Sequence, residues 1–124
     1  MKLKLFIALS LLLSTNAFAK APTCSSSGGG YCSYLGMVER IYVNSGNLIL
    51  VYFDVPMSES EPGKAGMDVS NYAAGAIKIN DNPDFAKLFY STALAAQSSG
   101  RRISIQMRGS ISGYPKIDRI WLEK

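Results

Sequence analysis

A chain of 124 residues holds one small domain. It contains no histidine, which excludes Ser-His and Cys-His nucleophile pairs and any imidazole-based metal site. Its 13 Lys and Arg against 9 Asp and Glu give a net charge of +4, but that figure overstates the charge of the working protein.

Met1-Lys2-Leu3-Lys4 is a short basic stretch, Leu5 to Leu13 is an apolar run, and Ala17-Phe18-Ala19 is a small-x-small site. This is the pattern of a cleavable signal peptide over residues 1–19. The apolar run is about half the roughly 20 residues that a membrane-spanning helix needs. Cleavage after Ala19 predicts a secreted or periplasmic protein. It removes Lys2 and Lys4 and leaves 11 basic against 9 acidic residues, a net charge of +2. That is an ordinary mixed surface and gives no reason to expect a nucleic-acid partner.

Lys20 to Tyr34 reads as a short irregular arm, and residues 35–124 as the domain proper. Cys24 and Cys32 are the only cysteines. In an oxidising compartment two such neighbours pair, and Gly28-Gly29-Gly30 makes the intervening loop easy to close. The bridge ties the arm down and contributes roughly 2–3 kcal/mol. Two cysteines do not fill a tetrahedral metal shell, so no metal or other cofactor is expected.

Leu35 to Val43 predicts a strand with Met37, Glu39, Ile41 and Val43 on one face and Val38, Arg40 and Tyr42 on the other. Asn44-Ser45-Gly46-Asn47 is a hairpin turn. Leu48 to Val55 is β-rich throughout and predicts a central strand. Pro56 to Gly66 is an exposed loop with two prolines and two glycines. Ala73 to Ile79 is a weaker strand with Ala74, Ala76 and either Ile77 or Ile79 facing inward.

A helix is predicted over 83–99. Asn82 caps it, Pro83 takes the first helical position, Asp84 favours the positive dipole end, and Gly100 terminates it. Phe85, Leu88, Phe89, Thr92 and Ala95/Ala96 recur at helical spacing, and Phe85, Leu88, Phe89 and Thr92 form the expected buried face, set against Ile41, Leu50 and Ile105. Arg101 to Arg108 alternates as a strand with Ile103, Ile105 and Met107 inward. Gly109 to Pro115 reads as a loop. Lys116 to Glu123 closes the chain as a strand with Ile117, Arg119 and Trp121 on one face and Asp118, Ile120 and Leu122 on the other.

The element order is therefore β-β-β-α-β-β, mainly β with one helix. That is the chain order of a five-stranded OB-fold barrel plugged by a helix. An open α+β sheet with one helix packed across it remains the alternative. No pair of carboxylates, Gly-rich phosphate loop or activated serine stands out, so the chain reads as a non-enzyme. Asp81 and Asp84 are explained by helix capping, and Ser25-Ser26-Ser27 by linker composition.

Phe89-Tyr90-Ser91-Thr92-Ala93-Leu94-Ala95-Ala96 running into Ser99-Gly100-Arg101-Arg102-Ile103-Ser104-Ile105 resembles the helix-to-strand passage of subtilase cytotoxin B-subunit-like proteins. Tyr34-Leu35-Gly36-Met37-Val38 is similar to their entry into the first strand. Gly113-Tyr114-Pro115-Lys116-Ile117-Asp118 resembles the ending of small secreted relatives of that group. The resemblance spans Tyr34 to Leu122. It implies an OB-fold subunit of a homo-pentameric ring, with a host glycan or a toxin A-subunit-like chain as partner. In the toxin subunit a serine holding sialic acid stands where this chain has Leu35, and a pocket tyrosine where it has Met107. The resemblance therefore implies the fold without the sialic-acid site. Tyr31 and Tyr34, as sugar-stacking rings, and Arg108, as a cationic donor, are the candidate ligand residues. A free-standing periplasmic OB-fold protein of structural or stress-related role is the other function consistent with these residues.

Overall fold

The computed structural model describes residues 19–124. The expected export signal lies outside them except for Ala19.

The chain builds β1 (Thr23–Ser25), β2 (Tyr31–Gly36), β3 (Ile41–Val43), β4 (Leu48–Tyr52), the one-turn α1 (Glu61–Lys64), β5 (Ala74–Lys78), α2 (Pro83–Ser99), β6 (Ile103–Ile111) and β7 (Tyr114–Leu122). The strands form one open mixed sheet in the order β1-β2-β6-β7-β5-β4-β3. Every pairing is antiparallel except β5 with β7, which meet in parallel at Ala76 and Lys116.

There are seven strands rather than the expected five, for two reasons. The arm is not irregular: Cys24 pairs with Cys32 across β1 and β2, and the disulfide joins these directly opposed residues. The expected strand 35–43 is two strands. β2 pairs with β6, the chain breaks at 37–40, and β3 pairs with β4. The break is held by Asp54, whose Oδ2 accepts the Met37 N–H at 3.2 Å, and by the Tyr34 hydroxyl. That hydroxyl donates to the Met37 carbonyl at 3.2 Å and accepts the Asp54 N–H at 3.0 Å.

Local sequence signals account for the rest. The Asn44 side chain accepts the Gly46 and Leu48 N–H groups at 2.9 and 3.3 Å and closes the β3–β4 turn. The Asn82 side chain accepts the Phe85 N–H at 3.1 Å, and Gly100 ends α2 in the left-handed conformation. The expected loop 109–115 is mostly strand. β6 and β7 run on to a tight turn at Ser112-Gly113, where both residues have positive φ.

The core gathers Ile49, Val51, Ile77, Phe89, Ile103, Ile105, Met107 and Ile117. Three faces differ from expectation. On β4 and β5, Leu50, Ala74 and Ala76 turn away from the main core, and Ile49, Val51 and Ile77 enter it. On α2 the buried stripe is Ala86, Phe89, Ala93 and Ala96, while Phe85 is half-buried and Leu88 is 70% exposed. Three alanines on that stripe let the helix backbone lie close to the sheet, which turns the longer Leu88 outward. On β7, Ile117 faces the core together with Ile120 and Leu122. A bulge produces this: Gln106 pairs with Arg119 but Met107 with Ile117, so Asp118 is the extra residue and the alternation flips across it.

Candidate ligand-binding face

The three candidate ligand residues do not form one site. Tyr34 lies in the core, 2% exposed, with its hydroxyl engaged by Met37 and Asp54. Burial pushes the pKa of that phenol up. Arg108 faces the half-buried Tyr31 ring at 5.6 Å, but its Nη1 donates to the carbonyls of Gly28 and Gly30 at 2.6 and 3.4 Å. Its Nε lies 3.6 Å from the Asp118 carboxylate. Arg108 therefore pins the glycine loop through Nη1. Leu35 is on the surface and Met107 is fully buried.

A different set of residues does share one surface. Residues paired across a sheet project to the same face. Tyr42 pairs with Leu50, Leu50 with Ala76, and Ala76 with Lys116. In the adjacent row Tyr52 pairs with Ala74, and its N–H donates to the Arg40 carbonyl at 3.2 Å. These residues face away from the main core, because Ile49, Val51 and Ile77 take the other side of the same strands.

Leu50, Ala74 and Ala76 are buried there under Leu48, Tyr52 and Tyr114, a second small apolar cluster on the outer face. Tyr42 is 44% exposed, and the Arg40 guanidinium stacks on the Tyr52 ring at 3.6 Å from its centroid. A groove of about 460 Å³ borders this platform, lined by Glu39, Arg40, Tyr52, Phe53, Asp54, Pro56 and Ala73. The result is a tyrosine-bearing apolar surface with Arg40, Glu39 and Asp54 along one border. Such a surface stacks on a planar or ring-shaped ligand and exchanges hydrogen bonds with its hydroxyls.

Sequence reasoning placed Val38, Arg40 and Tyr42 on one strand face, whereas Val38 joins the main core and Arg40 lies just before β3, and it did not single out Tyr42, Tyr52 and Tyr114 as a group. The only local signal is alternation, Arg40 with Tyr42 and Leu50 with Tyr52. What joins them is pairing register, which no stretch of sequence states. Among the described residues no group of three or more His, Cys, Asp or Glu side chains is placed to hold a metal ion, and no helix is long and apolar enough to cross a membrane.

No protein-family model, curated protein or solved structure matches this chain.

Proposed function

We propose that this chain is an exported, non-enzymatic binding module of the toxin B-subunit type. It recognises a glycan on its tyrosine face and assembles into a homo-pentameric ring. The observation that carries the reading is the outer cluster, with Tyr42, Tyr52 and Tyr114 around a floor of Leu50, Ala74 and Ala76 and with Arg40 stacked at its edge.

A closed OB-type barrel is part of the proposal. Its support is that the single segment Tyr31–Val43 supplies strands on both sides of the sheet order, β2 beside β6 and β3 beside β4. One bent strand shared in this way closes an OB barrel, and Tyr34 and Asp54 brace the bend. In such barrels the second and third strands, here β4 and β5, form the face that takes oligosaccharides. The absence of histidine and the small net charge outside the signal support a binding role over catalysis or nucleic-acid recognition.

A glycan array probed with the purified protein tests the proposal. Binding is expected on at least one glycan class, with Tyr52→Ala weakening it tenfold or more. Light scattering is expected at five times the monomer mass. A blank array, or binding indifferent to Tyr52→Ala and Tyr114→Ala, overturns the assigned face.

Sialic acid is a separate expectation. Leu35 offers no hydroxyl and Met107 is inaccessible, and each unpaired polar group of a ligand costs roughly 1–3 kcal/mol. Losing two donors removes about 2–6 kcal/mol from a contact worth about 4 kcal/mol at millimolar affinity. Binding is therefore expected to survive sialidase treatment of the glycans. Sialic-acid-dependent binding that disappears on Leu35→Asp refutes this expectation.

A further inference from the structure

Two methionine sulfurs flank the disulfide where the arm meets the sheet. Cys24 and Cys32 are bonded across the β1–β2 ladder. The Cys24 Sγ lies 4.0 Å from the Met57 Sδ, and the Cys32 Sγ lies 3.5 Å from the Met67 Sδ. The two methionines come from separate loops, one following β4 and one following α1. Each is fixed through its backbone, Met57 N–H to the Tyr72 carbonyl at 2.8 Å and Met67 N–H to the Pro62 carbonyl at 3.0 Å. Cys32, Met57 and Met67 are buried, and Cys24 is half-buried, so the group opens to solvent on the Cys24 side.

We propose that, once the disulfide is opened, these four side chains form a Cu(I) site of two thiolates and two thioethers. A dithiol is the reductant. It delivers two electrons and two protons to the Cys24–Cys32 bond, giving two thiols, and is itself oxidised to a disulfide. Cu(I) then displaces the two thiol protons to water. The bonded form has no thiolate to offer, so the site exists only in the reduced protein.

The geometry suits one ion. Metal–sulfur bonds of about 2.3 Å set tetrahedral ligand sulfurs about 3.8 Å apart, and the observed thioether-to-cysteine separations lie on either side of that spacing. Opening the bond lets the two Sγ atoms part by rotation about their Cα–Cβ bonds, and the unbranched methionine side chains close on the ion. The donor set selects the metal. Thioethers are ligands for Cu(I), whereas zinc takes thiolate, imidazole or carboxylate. The nearest carboxylate is already occupied: Glu61 accepts the Cys24 N–H at 2.8 Å and pairs with Lys64 at 2.7 Å.

The test is an anaerobic titration of Cu(I) against a bicinchoninate competitor, using purified protein reduced with a dithiol and then desalted. One Cu(I) per reduced chain is expected, and none competing on the oxidised chain. Met57→Leu/Met67→Leu conserves volume and apolar packing and is expected to weaken binding at least tenfold. A double variant that binds as tightly as the parent overturns the site, because the ion is then held by thiols alone. A reduced chain that has lost its fold gives that same result. Equal binding by the oxidised protein also overturns it.

Discussion

Phe89→Ala is expected to cost about 3–5 kcal/mol of unfolding free energy, the range for truncating a fully buried aromatic ring. Phe89 is 0% exposed and is the largest side chain on the buried stripe of α2. Its neighbours on that stripe are Ala86, Ala93 and Ala96, which are too short to fall into the space it leaves. The cavity therefore stays open, and its cost adds to the lost transfer of the ring. The Phe85 ring, 6.3 Å away between centroids and half-buried, can move in and offset part of the loss. Leu88→Ser, one residue earlier, is expected to change stability by no more than about 0.5 kcal/mol, because Leu88 is 70% exposed. Urea unfolding of both variants checks the pair. A shifted midpoint at unchanged slope for Phe89→Ala, beside an unmoved Leu88→Ser, is the expected result. Comparable losses for the two mean that α2 presents a different face to the sheet.

These two residues also show what the sequence made legible. The existence and limits of α2 follow from short-range chemistry: Asn82, Pro83 and Gly100 act within a turn of themselves, and the observed span matches the expected one. Which side of the helix is buried depends on how close it approaches the sheet. Periodicity favoured the long apolar residues Leu88 and Phe85, while the sheet accepted the small ones. The same distinction holds in β7, where alternation is a local property and the bulge at Asp118 is set by pairing with β6. It holds again in β2, because nothing between Met37 and Arg40 announces a break. The break is fixed by Asp54, which is distant in sequence. The candidate site was least legible. Tyr34 and Arg108 carry ligand-binding chemistry as residue types, but packing spent one in the core and the other on the glycine loop. Tyr42 and Tyr52 lie on the β3–β4 hairpin, but Tyr114 on β7 comes to the same face only through β5, which pairs with both β4 and β7.

Gly30→Ala is expected to be the most disruptive single-methyl addition in the arm, at about 2–6 kcal/mol. Gly30 sits between the disulfide-closed loop and β2, with φ of +89°. An alanine there adopts a conformation that costs an L-residue about 1–3 kcal/mol. Its Cβ also runs into the backbone carbonyl of Ala65, at the end of α1. A carbonyl held in a helix end does not swing aside as a side-chain tip does, so overpacking adds roughly 1–3 kcal/mol more. Three further interactions meet at this place. The Gly30 N–H donates to the Ser27 carbonyl at 3.0 Å, its own carbonyl accepts from Arg108 at 3.4 Å, and Glu61 of α1 accepts the Cys24 N–H. Displacing Gly30 therefore loosens the loop, the arm and α1 together. Gly66→Ala separates the two causes. Gly66 has φ of +66° but nothing within 4 Å of an added Cβ, so it carries the conformational cost alone, about 1–2 kcal/mol. Thermal unfolding of both variants under non-reducing conditions is expected to show a clearly larger loss for Gly30→Ala. Equal losses mean that α1 yields to the added methyl and is not the rigid wall against which the disulfide loop is packed.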